Sequence, residues 1–322
     1  MEVLQVQVRP RFTVRLPRSG GGDGVMRFRE GVLERLLHVG PCPVRVRAWQ
    51  TRHEVLIRAE RVEPRLAIHH GDGVDCRDAG REELELAIER MRFALHLDED
   101  PTEFFRAFKR DPVIGATIHR RPWTRPRRHL WPWEALAWAI TEQLIELRRA
   151  KAIQRRIVRR WGPRVAPRRR GDRPLLDVPS PALVSGRAPA ELVGMDLTEA
   201  RALALVRCAR EVAAGRAEPS DPGDDRRLLA IREIGPWTIQ CLGYKGRGDP
   251  DSLPAGDLAY VKLVGHLAGL GRRATVEEVE EFFAPYAPFR GLAGTFALAG
   301  HHKAAAQGPP LRLAPDRCAD AA

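Results

Sequence analysis

The sequence predicts an α+β fold: an N-terminal domain built on an antiparallel sheet, followed by an all-α domain. Three observations carry this. The first third alternates apolar and polar residues at period two, in VLQVQVRPRFTVRL (3–16), PVRVRAW (43–49) and EVLIRAE (54–60), as half-buried strands do. Gly- and Asp-rich breaks, SGGGDG and HHGDG, punctuate these runs. After Gly80 the apolar period lengthens to three and four, and from about residue 113 everything reads as helix and loop.

Between the first two strand runs, FREGVLERLLHVG (28–40) spaces its apolar residues as a short amphipathic helix that ends at Gly40. REELELAIERMRFALHL (81–97) and PTEFFRAFKRDP (101–112) read as helices, with Pro101 in the first turn of the second. RRPWTRPRRHLWPW is a connector rich in Pro and Arg. Pro132 then opens a long amphipathic helix whose apolar positions, from Trp133 to Trp161, step by three and four up to Gly162-Pro163. Further on, LTEARALALVRCAREVAAG is helical with Thr198 as cap, and ATVEEVEEFFAPY carries a capping box in Thr275 and Glu278. The chain thus divides into residues 1–112, residues 113–305 and a tail, 306–322, that lacks periodicity.

The chain has 322 residues and 43% apolar content, which excludes a disordered polymer. Its apolar runs fall far short of the roughly 20 residues of a membrane span, and the N-terminus does not read as a signal peptide. Five cysteines (42, 76, 208, 241, 318) stand too far apart for a metal or iron–sulfur spacing and read as reduced, mostly buried thiols. His69-His70 and His301-His302 read as loop and tail residues, and no metal site is assigned. Net charge is +12, and residues 120–170 alone carry sixteen Lys/Arg against three Glu. A genome rich in G and C explains Arg over Lys, but it does not explain the clustering. The block points to a phosphate polymer as partner.

Residues 229–257, LAIREIGPWTIQCLGYKGRGDPDSLPAGD, carry the chemistry. DDRRLLAI and WTIQCLGY read as two short helices joined by the tight turn REIGP. Outward-pointing amides at such a turn bind phosphate. Asp257 then opens DLAYVKLVGHLAGL, where a carboxylate caps the helix and stays ionised beside the dipole. Taken alone, that aspartate is a cap; only its setting could make it functional.

This combination, Ile231, Ile234-Gly235-Pro236-Trp237-Thr238 and then Leu253-Pro254-Ala255-Gly256-Asp257, resembles the helix-hairpin-helix DNA glycosylases. WEALAWAITEQLIELRRAKAIQRRIVRRWG is similar to that family's first helical region with its Gln-Leu wedge, and PFRGLAGTFALAGHH to its closing helix. With the strand-rich first domain, the resemblance is to the 3-methyladenine DNA glycosylase II branch, which removes alkylated bases. It covers about residues 1–303, most closely from 130 onward.

The resemblance implies an N-terminal domain with a TBP-like sheet, a helix broken at the wedge, and action on double-stranded DNA containing damaged bases. It implies no cofactor and no membrane, a monomer, and a cytoplasmic, nucleoid-associated location. Asp257 would stabilise the oxocarbenium-like sugar as the N-glycosidic bond breaks. Gln143 and Leu144 would form the wedge that fills the space of the flipped base, although Leu144 on periodicity alone reads as core. Trp237, Cys241 and Leu298 would line the lesion pocket; a core aromatic is the other reading of Trp237. Ile234, Gly235, Pro236, Trp237 and Thr238 would grip the DNA backbone, with a possible monovalent cation at the hairpin. Family members that also cleave the strand carry Lys at the second residue after the hairpin's closing Gly, where this chain has Trp237, so hydrolysis without lyase chemistry is implied. Glu233 departs from the family, standing where the hairpin has its first Gly, and so do Cys241 and Leu298, where relatives have aromatics.

Overall fold

The computed structural model describes residues 2–39, 42–62, 67–68, 80–167 and 173–304. Strands β1 (Val3–Val8), β2 (Met26–Arg29), β3 (Val32–Val39), β4 (Cys42–Gln50) and β5 (Val55–Arg61) form one antiparallel sheet in the order β1-β5-β4-β3-β2. A small three-stranded sheet joins β6 (Ala67–Ile68), β7 (Arg164–Val165) and β8 (Leu175–Leu176), so the expectation that everything from about residue 113 is helix and loop is corrected at β7 and β8. The helices are α1 (Arg81–Ala94), α2 (Thr102–Phe108), α3 (Gly115–Arg120), α4 (Pro132–Glu142), α5 (Leu147–Trp161), α6 (Pro181–Ser185), α7 (Pro189–Val193), α8 (Glu199–Ala213), α9 (Asp225–Leu229), α10 (Pro236–Leu242), α11 (Leu258–Leu267), α12 (Val276–Phe283) and α13 (Arg290–Ala304).

Residues 28–39 are not a helix. They turn back as the β2–β3 hairpin, through a two-residue loop in which Glu30 (φ +51°) and Gly31 (φ +81°) are both left-handed. That loop geometry matches the twist of paired strands. The spacing misleads because β3 is buried on both faces. Leu33, Leu37 and Val39 pack with α1, while Leu36 joins Val62, Val165 and Leu175. A strand buried on two sides loses its alternation and acquires apolar neighbours three and four apart.

The other core clusters are helical. One gathers α4, α5 and α8 around Leu136, Trp138, Ile157 and Leu205. Another gathers α11–α13 around Phe283 and Phe296 and includes Phe104 of α2 and Ile118 of α3. α4 is buried from Pro132 to Thr141, as a helix at the centre of a domain must be. It is also shorter than its period suggested. α4 ends at Glu142 and α5 begins at Leu147, with Leu144 left-handed (φ +51°) between them. The break that the resemblance implied is present, and the uninterrupted helix read from periodicity is corrected.

Thr198 takes the N-cap position of α8, but its hydroxyl caps no backbone N–H and instead accepts from Arg201 Nε at 3.0 Å; the Thr275/Glu278 capping box forms in full. Cys208 and Cys241 are free, buried thiols; Cys76 and Cys318 lie outside the described residues, as do His69, His70 and the tail from 305. His301 is no tail residue. It lies within α13, its ring 4.7 Å from that of His266.

Candidate active site

α9 and α10 form the hairpin. Gly235 caps α10 with extended backbone (φ −112°, ψ 179°), and Pro236 fills the first helical position. A Cβ built on Gly235 would meet nothing within 4 Å, so this side of the turn lies open. Ile234 is buried in the α4–α8 core and contributes only backbone to the turn. Thr238 also turns inward. It is 1% exposed, and its hydroxyl accepts a hydrogen bond from Gln143 Nε2 at 2.9 Å.

The same Nε2 donates to the carbonyl oxygen of Glu233 at 2.7 Å, and the carbonyl of Gln143 accepts from Arg201 Nη1 at 2.7 Å. The wedge turn is therefore tied to the hairpin on one side and to α8 on the other. Between these anchors, Leu144 is 100% exposed. The core reading of Leu144 is overturned, because a side chain wholly in water packs against nothing. Ile145, beside it, is the residue that packs inward.

Glu233 has φ +75°. Left-handed backbone costs an L-residue roughly 1–2 kcal/mol and a glycine almost nothing, which is the physical reason a glycine suits this position.

Asp257 caps α11. Its Oδ1 accepts from Ala259 N at 2.8 Å, and its own N–H bonds Pro254 O at 2.8 Å. Oδ2 makes no hydrogen bond among the described residues. The loop before it sets Gly256 against Trp237: a Cβ on Gly256 would lie 3.8 Å from the indole Cδ1. Trp237 is half-buried, with its Nε1 enclosed and unpartnered among the described groups. Trp237 thus lies against the loop residue that precedes Asp257. Cys241 is 1% exposed. Burial pushes its thiol up to about 12, with Lys245 opposing and the charges of Glu142 and Asp257 adding, so it is no nucleophile. Burial also raises the Tyr260 hydroxyl, again with Asp257 adding to the effect. Leu298 is half-buried against the α11–α13 core.

Sequence reasoning missed the charged neighbours. Glu142, immediately before the wedge, receives Lys151 Nζ at 2.9 Å on one oxygen and Lys245 Nζ at 3.2 Å on the other. Burial alone would raise the Glu142 carboxyl, but the two ammonium groups hold it well below the usual range. Burial would lower the Lys245 ammonium, and Glu142, then Cys241 and Asp257, raise it instead. The only signal in the sequence was a carboxylate at the end of a mostly apolar helix.

The fold is that of solved glycosylases. A 3-methyladenine DNA glycosylase from Archaeoglobus fulgidus superposes with a TM-score of 0.73 over 92% of this chain and 98% of that one, at 18% identity. MBOgg1, solved with a low-affinity DNA ligand, gives 0.71 over 95% and 100% at 17% identity. In sequence, a probable bifunctional transcriptional activator/DNA repair enzyme AlkA of Mycobacterium tuberculosis is 28% identical over 220 residues, 66% of this chain. The match spans only 42% of that relative, less than half its length. A Bacillus subtilis DNA-3-methyladenine glycosylase is 23% identical over 208 residues, 63% of this chain and 67% of its own. No protein-family model matches the chain.

In fold, the chain is similar to solved members of the helix-hairpin-helix DNA glycosylase superfamily. Within it, the sequence likeness is to the AlkA-like branch.

Proposed function

We propose that the protein is a monofunctional DNA glycosylase that hydrolyses the N-glycosidic bond of alkylated purines of the 3-methyladenine and 7-methylguanine type. The observation that carries this reading is Asp257, held by one oxygen at a helix N-terminus with the other free, directly after the Gly256 backbone that lies against Trp237. A rigid carboxylate placed next to developing positive charge stabilises it without reorganisation. The C1′–N bond breaks with its electron pair leaving on the base, and water, oriented by Asp257, adds to C1′ and releases a proton to solvent. An alkylated purine is already cationic, so it leaves without prior protonation, and the indole face of Trp237 suits a cationic ring.

The base must first leave the stack. Exposed Leu144 is the group to fill its place, with Gln143 fixing the turn that presents it. The open hairpin at Gly235 takes a backbone phosphate, and the Arg-rich face of α5, with Arg148 and Arg159 exposed, takes others. Trp237 offers no amine, so no Schiff base forms there and the strand stays intact. Duplex DNA is the partner, with the protein acting as a monomer. Among the described residues, no helix is long and apolar enough to cross a membrane.

Leu298, where relatives have an aromatic, gives the pocket less aromatic surface than alkylpurine recognition favours, which supports a second reading, in which the lesion is a deaminated or oxidised base; Cys241, buried, offers it no surface. The test uses duplexes with single defined lesions, followed by alkali. Wild type should leave abasic sites at alkylpurines, and Asp257→Asn should lose at least a hundredfold in rate. Abasic sites only at deaminated or oxidised bases would select the second reading. DNA binding without any abasic product would show a non-catalytic binder, and strand breaks without alkali would exclude the monofunctional assignment.

A further inference from the structure

Asp23, His129 and Glu134 come from three stretches of chain: the Gly-rich loop before β2, the connector ahead of α4, and the first turn of α4. They are 3%, 6% and 2% exposed, and one donor atom from each lies within 4.8 Å of the other two. His129 Nδ1 is 3.2 Å from Glu134 Oε1. Two ligands about 2.0 Å from one ion, separated by the tetrahedral angle, stand roughly 3.3 Å apart, so this pair already has the spacing of a shared metal.

The charges around them leave a deficit. Arg35, fully buried, bonds Glu134 Oε2 at 3.0 Å and Asp177 Oδ1 at 3.1 Å, and Asp23 acts on it as well. Three buried carboxylates therefore act on one guanidinium, the only fixed positive charge bonded to them among the described residues, while the His38 ring meets Asp177 Oδ2 at 3.0 Å and the His129 ring meets Glu134. Lys151 reaches Glu134 only at longer range, since its ammonium is bonded to Glu142 and Gln154. Buried charge of this kind is paired or coordinates a metal.

The remaining contacts orient the donors as outer-shell groups orient ligands. Arg35 holds Glu134 by Oε2 and leaves Oε1 toward His129. The Val25 N–H holds Asp23 Oδ1 at 3.2 Å, and Lys245 O fixes the backbone of His129 at 2.9 Å.

We propose that Asp23, His129 and Glu134 bind one divalent transition-metal ion, of the zinc or manganese class, with water completing its shell. One imidazole and two carboxylates are suitable donors for such an ion. Bound there, it clamps the loop before β2 onto α4 and so locks the sheet to the helical core. The site shares no residue with the Asp257 cap and does not depend on its role.

The test is direct. Protein dialysed against a chelator is titrated with Zn²⁺ by calorimetry and with Co²⁺ by visible absorption, and its melting temperature is read with and without Zn²⁺. The expected result is one equivalent bound with micromolar or tighter affinity, Co²⁺ bands of a nitrogen–oxygen shell, and a raised melting temperature. Asp23→Asn and His129→Gln should each weaken binding at least tenfold with the fold retained by circular dichroism. A His69→Gln/His70→Gln/His301→Gln variant should bind as wild type does. Absence of saturable binding to wild type overturns the proposal, whatever the variants do. So does unchanged affinity in Asp23→Asn, or loss of binding in the triple His variant.

Discussion

The side-chain amide of Gln143 donates to the carbonyl oxygen of Glu233 at 2.7 Å, joining the wedge turn to the hairpin across 90 residues of sequence. Its second N–H goes to Thr238 Oγ1, so one side chain spends both amide donors on the same hairpin. A single residue thus sets how the proposed wedge sits relative to the proposed phosphate grip.

Gln143→Ala removes that tie. The expected cost is about 1–2 kcal/mol of stability, two hydrogen bonds' worth. Excision should fall further than binding to undamaged duplex, because the wedge loses its direction. Urea denaturation and single-turnover kinetics read the two effects.

Leu144→Ala separates wedge from core. A fully exposed side chain contributes no packing, so stability should stay within about 0.5 kcal/mol of wild type. Excision from a fully paired duplex should drop at least tenfold, and less from a mismatched one, where the base is already loosened. A melting temperature lowered by many degrees would instead make Leu144 structural.

Glu233→Gly should stabilise the protein by about 0.5–1 kcal/mol. Relief of left-handed strain (φ +75°) outweighs the extra freedom of glycine in the unfolded chain. The same change removes an acidic group from the hairpin, so binding to undamaged duplex should tighten, most at low salt. Chemical denaturation and a salt series check both halves.

Acid should weaken the fold through Glu142. Its folded pKa is depressed by Lys245 and Lys151, so its contribution is complete above the unfolded value of about 4.3 and is lost as pH falls through the lower folded value. Glu142→Gln should therefore show a smaller drop in urea midpoint between pH 7 and pH 3 than wild type. Lys245→Met should cost about 1–2 kcal/mol at pH 7. That is less than a fully enclosed pair would lose, because Lys245 keeps 30% exposure and Lys151 remains.

What was legible in the sequence was local. The Asp257 cap, the Thr275/Glu278 box and Pro236 after Gly235 all stand where expected, since capping involves groups within three residues of each other. β4 and β5 were readable from alternation, and α1 from its period. The β2–β3 hairpin was not, because burial of β3 on both faces erased the alternation that marks a strand.

The sequence by itself determined an antiparallel sheet, the helices that follow it, and a capping aspartate behind a Gly/Pro-rich turn. Backbone propensity and side-chain period act over a few residues and need no partner. Periodicity ran the helix on and only the resemblance implied a break; the tertiary structure shows why it stops at Glu142, since no Gly or Pro breaks it there and Gln143 finds its partners in a hairpin 90 residues later. Only the tertiary structure exposed Leu144, placed Lys245 between Glu142 and the vicinity of Asp257, and closed Asp23, His129 and Glu134 on one another. Each of these is a contact between distant segments, and its energy exists only once the chain has brought them together.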